Sequence, residues 1–155
     1  MFIQTFFPKR QQQTAQATAA AHKALARQFC TATWGQGNLA AVDRFTSPDF
    51  IIDYPILPAP LDRDGFKAWL SDVHTAFPDL QLTITDAIAE ADKVALCWTV
   101  EGTNTGPIGL LNLAATGKSV HYTGILIYRI VNGRIVEERG EEDALGLFKQ
   151  LGLLG

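Results

Sequence analysis

Residues 119–142 read SVHYTGILIYRIVNGRIVEERGEE, and the fold class turns on them. Asn132-Gly133 is a two-residue hairpin signal, because both central positions of such a turn need a positive φ that Asn and Gly tolerate. It separates two strands, expected at 119–130 and 134–142. Upstream, residues 80–90 and 93–103 also read as strands, joined by a turn at Asp92-Lys93. Alternation puts Val94, Leu96, Trp98 and Val100 on one face, with Ala95, Cys97, Thr99 and Glu101 on the other. In 119–130, Val120, Tyr122, Leu126 and Tyr128 share a face, and Thr123, Ile125 and Ile127 share the opposite one. Both faces are rich in apolar residues. A sheet covered by helices on one side should be polar on its free side. The pattern therefore predicts a second cover, and a second copy of the chain is the natural one. A homodimer through the sheet face is expected, against the alternative of a partly exposed apolar sheet.

The first half is helical. From Thr14 to Trp34, Ala21, Leu25 and Phe29 recur at four-residue steps in an alanine-rich context. Gly35-Gln36-Gly37 ends this helix, Asn38 can cap a short one reaching Phe45, and Ser47-Pro48 breaks that. DFIIDYP, residues 49–55, reads as a strand. Asp62 or Asp64 opens a third helix whose apolar stripe is Phe66, Trp69, Leu70, Val73 and Phe77, stopped by Pro78-Asp79. A last helix spans Ala144 to Leu151. Helices first and hairpin-linked strands afterwards define an α+β class. The apolar start MFIQTFF is followed, not preceded, by positive charge, so residues 1–13 read as an extension to a single domain at 14–155 rather than as a signal peptide. The segment 104–119, NTGPIGLLNLAATGKS, is long and apolar for a loop between strands; it covers either a pocket mouth or a partner subunit.

The chain has 155 residues, 47% hydrophobic and 19% charged, with a net charge of -3. That suits one packed domain and lacks the basic footprint of a nucleic-acid binder. No apolar run reaches the roughly 20 residues a membrane span needs. Cys30 and Cys97 can build neither a disulfide framework nor a zinc site, and they read as buried small hydrophobes. His22, His74 and His121 are scattered without metal-ligand spacing. A cytoplasmic protein acting on small molecules or on other proteins is expected.

Residues 76–106 and 115–152 resemble the SnoaL-like polyketide cyclase family of the NTF2-like superfamily. The marks are Phe77-Pro78-Asp79, Trp98 with Gly102-Thr103 and Thr105-Gly106, Thr116-Gly117-Lys118, Tyr128-Arg129, Gly133-Arg134-Ile135-Val136-Glu137, and a tail of Asp143, Leu145-Gly146 and Gln150-Leu151-Gly152. Trp34, Gly37, Asn38, Leu39 and Phe50 agree more loosely. The resemblance implies a cone in which a curved antiparallel sheet wraps a long N-terminal helix and leaves a deep apolar pocket. It implies an intramolecular aldol closure without metal or organic cofactor, with Asp143 matching the aspartate that removes and returns a proton. The chain departs from the family pattern at Asp53-Tyr54, where His-Asp is common, and at Leu126, where an acid is common. It departs again at Glu138-Arg139, in place of His-Trp, and at Asn104, in place of His.

These readings nominate a site. Asp143 is a candidate catalytic base or the N-cap of the last helix, and both roles fit its position. Asp53 is a candidate pocket carboxylate, or a surface group paired with Arg139. Arg139 shares strand parity with Glu137, Glu141 and Asp143, and so can face the same cavity or form an exposed ion pair. Trp34, Tyr54 and Trp98 are candidate apolar walls, and Tyr122 and Tyr128 bring hydroxyls to meet a ligand oxygen. The expected function is a small cofactor-free enzyme that binds an apolar oxygenated molecule and cyclises or isomerises it. The alternative is a non-catalytic module holding a small hydrophobic ligand or a protein partner.

Overall fold

Alanine and glutamine dominate residues 11–26 and lose little freedom in a helix; they lie within α1, Lys9–Cys30. The computed structural model describes residues 9–154. Of the extension expected at 1–13, residues 1–8 lie outside the described residues, and 9–13 belong to α1. Only the C-terminal end of α1 enters the core, through Ala26, Phe29 and Cys30. The chain then widens into a single π-helical turn, Thr31–Gly35. Such turns are rare and often accompany functional sites, and this one carries Trp34. Asn38 caps α2, Leu39–Phe45, by accepting from the Ala41 amide. Asp62 caps α3, Arg63–Ala76, which buries Phe66, Trp69 and Leu70.

β1 is Thr46–Asp53 and runs through Ser47-Pro48 rather than starting after it. Its pairing is interrupted between Thr46 and Ile51, where a proline without an N–H is tolerated. The other strands are β2, Gln81–Glu90, β3, Lys93–Thr103, β4, Ser119–Val131, and β5, Arg134–Glu142. They form one curved sheet in the order β1-β5-β4-β3-β2. Pairing is antiparallel except at β1, which runs parallel to β5. The sheet expected to be antiparallel is thus mixed at one edge. β1 meets its neighbour through a long crossover rather than a hairpin, so no tight turn imposes the opposite direction. Asn132 and Gly133 take φ of 51° and 71°, as the hairpin signal requires.

One irregularity governs the site. Ile130 pairs with Ile135 but Arg129 pairs with Glu137, so β5 holds an extra residue at Val136. A bulge of this kind switches the faces of everything beyond it. Ile135 is buried before the bulge; after it, Glu138 and Gly140 are buried and Arg139 and Glu141 are exposed.

The concave face carries Val94, Leu96, Trp98, Val100, Val120, Tyr122, Leu126 and Tyr128, all buried beneath the helices. α4, Ala144–Leu151, adds Leu147 and Leu151. On the convex face, Ile88 and Ile125 stay exposed. Cys30 is buried as expected, whereas Cys97 lies on the convex face and is only half-buried.

Candidate active site

Two glycines shape the concave face. A Cβ at Gly140 would overlap Cε1 and Cζ of Tyr54 and stand 2.5 Å from its hydroxyl oxygen. A Cβ at Gly124 would lie 2.6 Å from Cε2 of Trp98. Strand-interior glycines commonly mark such close approaches. Here they let Tyr54 lie over β5 and the Trp98 indole lie over β4. Gly124 is the register partner of Glu142 and Leu126 that of Gly140, so both rings settle around the inner end of β5.

The cavity so formed encloses about 90 Å³. Trp34, Tyr54, Trp69, Trp98, Tyr122 and Leu126 line it together with Val100, Leu147 and Phe148, and Glu142 and Asp72 bring carboxyls to an otherwise apolar wall. Ile108, Leu110 and Leu111 also line it, which gives the apolar loop of 104–119 a place at the mouth. The buried Asn104 holds that loop's base. Its Nδ2 donates to the carbonyls of Ala76 at 3.2 Å and Gly106 at 2.8 Å. Its Oδ1 accepts from the amide and hydroxyl of Thr116 at 2.8 and 3.0 Å.

Burial pushes the Glu142 carboxyl up to about 7, as expected for an acid held among apolar and aromatic groups. The same carboxyl helps raise the Tyr122 phenol above its ordinary value, after burial, the larger cause. Trp98 Nε1 is buried without a hydrogen-bond partner. A donor in that condition costs about 1–3 kcal/mol.

Behind the wall sits a second acid, Glu138, fully buried. Its Oε1 accepts from Trp34 Nε1 at 2.8 Å and from the Tyr54 hydroxyl at 2.8 Å. Burial pushes it up to about 7, opposed by the hydrogen bonds from Trp34 and Tyr54. The buried Tyr128 hydroxyl has no hydrogen-bond partner.

Four nominated residues therefore line the cavity: Trp34, Tyr54, Trp98 and Tyr122. The other four lie elsewhere. Tyr128 lies beneath the cavity in the core, its ring 5.4 Å from that of Phe29. Asp53 is exposed and is the register neighbour of Arg139. Arg139 points outward with its Nε 3.3 Å from Glu137 Oε1. Asp143 is exposed and caps α4, its Oδ1 accepting from the Gly146 amide at 2.8 Å. For Arg139 the bulge at Val136 is the physical reason. Parity counted from Ile135 points 137, 139 and 141 inward, and the extra residue turns 138, 140 and 142 inward instead. Glu138 and Glu142 were missed on that account, although Gly140 between them was a visible sign of close approach. Among the described residues, no group of three or more His, Cys, Asp or Glu side chains is placed to hold a metal ion. No helix among them is long and apolar enough to cross a membrane.

The fold and cavity define a small α+β cone with an acid in an apolar, aromatic-walled pocket. A family model described as SnoaL-like polyketide cyclase matches residues 24–151, and the chain belongs to that family. Among solved structures, it is similar to AclR, a candidate hydroxylase from Streptomyces galilaeus, at 28% identity and TM-score 0.77, covering 88% of this chain and 99% of that one. It is similar to a candidate polyketide cyclase from Acidithiobacillus ferrooxidans at 27% identity and TM-score 0.75, covering 87% and 96%. A protein of ketosteroid isomerase-like fold from Catenulispora acidiphila shares the fold at 16% identity and TM-score 0.68, covering 83% and 92%. A search of curated protein sequences finds no match.

Proposed function

We propose that the protein is a cofactor-independent enzyme that moves a proton on an apolar, oxygenated small molecule, with Glu142 as the general acid/base. The observation that carries this is Glu142 itself, a carboxyl in an apolar cavity poised near 7. A base whose pKa lies near the working pH is the effective one. As carboxylate, Glu142 takes a proton from a carbon beside a carbonyl. The enolate oxygen accepts from the unpartnered Trp98 N–H or from the Tyr122 hydroxyl. Neutral Glu142 then returns the proton at another carbon, which is isomerisation. Where the enolate carbon instead attacks a second carbonyl of the same molecule, the proton goes to the new alkoxide, which is aldol cyclisation. The likeness to a candidate polyketide cyclase from Acidithiobacillus ferrooxidans agrees with chemistry of this kind.

The cavity of about 90 Å³ is smaller than the roughly 300–1,000 Å³ of a drug-sized ligand's pocket. That volume suits a small ligand. The ligand is small and apolar, the protein works in the cytoplasm, and a second copy covers the convex face around Ile88 and Ile125.

The test is α-proton exchange of β-tetralone in D2O, followed by NMR, with wild type and Glu142→Gln. Exchange that Glu142→Gln abolishes supports the enzyme. Binding of β-tetralone without exchange would move the assignment to a non-catalytic ligand-binding module, which the small apolar cavity also suits.

A further inference from the structure

Glu138 does no work in that reaction, yet it is the costliest side chain in the core. A fully buried carboxyl is expensive unless its lone pairs are satisfied and a cation stands by. The groups facing it are Cys30 from α1, Trp34 from the π turn, Tyr54 after β1 and Tyr128 from β4, and none is a cation. One oxygen, Oε2, has no partner at all.

What Glu138 does hold is specific. Its single oxygen Oε1 takes two donors, the Trp34 indole N–H and the Tyr54 hydroxyl, each at 2.8 Å. These are two of the rings that line the cavity. They come from segments far apart in sequence, 34 on the π turn and 54 after β1. Their rings lie 6.2 Å apart, and each stands edge-on to Trp69, at 4.9 and 5.2 Å. Gly140 is what brings Tyr54 within reach, because any side chain there would displace the phenol.

We propose that Glu138 is a positioning residue: from inside the wall, and without touching the ligand, it ties Trp34 and Tyr54 into one rigid aromatic face of the cavity. Charge-assisted hydrogen bonds are roughly twice as strong as neutral ones, so the face is tightest when Glu138 is ionised and loosens when it is neutral. The proposal rests on the reading that the cavity takes a ligand, but part of its test needs none.

The experiment compares wild type, Glu138→Gln, Tyr54→Phe and the double variant. The first readout is tryptophan emission and acrylamide quenching of the ligand-free protein from pH 5.5 to 8.5. Wild type should show a pH-dependent emission change; the part of it that persists in Glu142→Gln is removed by Glu138→Gln and reduced by Tyr54→Phe. The second readout is calorimetric binding of β-tetralone. Glu138→Gln should bind about 5- to 10-fold more weakly and lose the share of the pH dependence that Glu142→Gln retains. The effects of Glu138→Gln and Tyr54→Phe should be less than additive, since they cut the same tether. If Glu138→Gln fails to fold, Tyr54→Phe keeps the ring, removes one tether and must reproduce part of the emission change. Unchanged emission in both variants, or unchanged β-tetralone affinity and pH profile in Glu138→Gln, overturns the proposal. If β-tetralone does not bind wild type at all, the proposed function fails, and ligand-free emission still decides the role of Glu138.

Discussion

Gly140→Ala tests the geometry of the site most directly. The new methyl would overlap the edge of the Tyr54 ring and come 2.5 Å from its oxygen. That ring cannot slide freely. It stands against Trp69 at 5.2 Å and is tied to Glu138 at 2.8 Å. Overpacking of this kind costs about 1–3 kcal/mol. Losing a hydrogen bond to a charged group adds about 1.5–3 kcal/mol, while replacing glycine returns about 0.4–1 kcal/mol through the unfolded chain. The net loss is about 2–5 kcal/mol, or roughly 4–20 °C in Tm at about 2–4 °C per kcal/mol for a domain of this size. Calorimetry and urea melts read both. In a Tyr54→Leu background the same substitution should be nearly neutral, because the group it strikes is gone. A Gly140→Ala protein with wild-type Tm, or one equally destabilised with Tyr54 and with Leu at that position, would refute the reasoning.

Glu138 and Glu142 titrate near 7 in the folded chain, against an ordinary 4.5. The native state thus binds more protons than the unfolded one across pH 4.5–7, and stability falls as pH rises through that window, by about 3 kcal/mol for each group. Urea melts should show this slope, and Glu142→Gln should remove about half of it; a wild-type profile that rises from pH 5 to 7.5 would contradict it. Gly124→Ala, whose methyl would lie 2.6 Å from Trp98 Cε2, should displace the indole and weaken β-tetralone binding at least 10-fold by calorimetry. Asn104→Ala removes four hydrogen bonds that hold the mouth segment; it should cost about 2–4 kcal/mol and raise amide exchange across 105–117 by mass spectrometry. Ile125→Lys, at an exposed apolar position of the convex face, should shift a dimer to monomer in analytical ultracentrifugation without changing the cavity.

Much of the fold was legible because each signal was local. The stripe Phe66, Trp69, Leu70 forecast α3, and Asn132-Gly133 forecast the β4–β5 hairpin. Alternation in β3 and β4 sorted the inner face from the outer residue by residue. The pairing of β1 with β5 was not legible, since a parallel neighbour brought in by a long crossover leaves no turn to read. The placement of the candidate site residues was legible only in part. Trp34, Tyr54, Trp98 and Tyr122 were nominated as large rings, and such rings seek interior walls wherever the backbone puts them. Arg139 was nominated from parity, and parity survives only in an unbroken ladder; Asp143 was nominated from the family resemblance and Asp53 from its apolar strand neighbours. One extra residue at Val136 was enough to turn Arg139 outward and Glu138 and Glu142 inward. A bulge leaves almost no mark in a single sequence. The mark it did leave was indirect: a glycine at 140, with no turn to explain it.

The bulge also bears on why the acids are there. A domain of this kind is held by about 5–15 kcal/mol in all, and two buried carboxyls near 7 each oppose folding by about 3 kcal/mol at alkaline pH. Leucine at 138 and 142 would make a drier and more stable core. Both acids lie on the same strand, both are turned inward by the same irregularity, and the rings around them belong to one cavity. A cost confined to one cavity is the pattern of a site that trades stability for chemistry, whereas acids serving only the fold would be paired with cations. The consequence is measurable in one variant. Above pH 7.5, Glu142→Gln should melt at a higher temperature than wild type while losing α-proton exchange of β-tetralone. A variant that loses both stability and exchange would make Glu142 a structural residue.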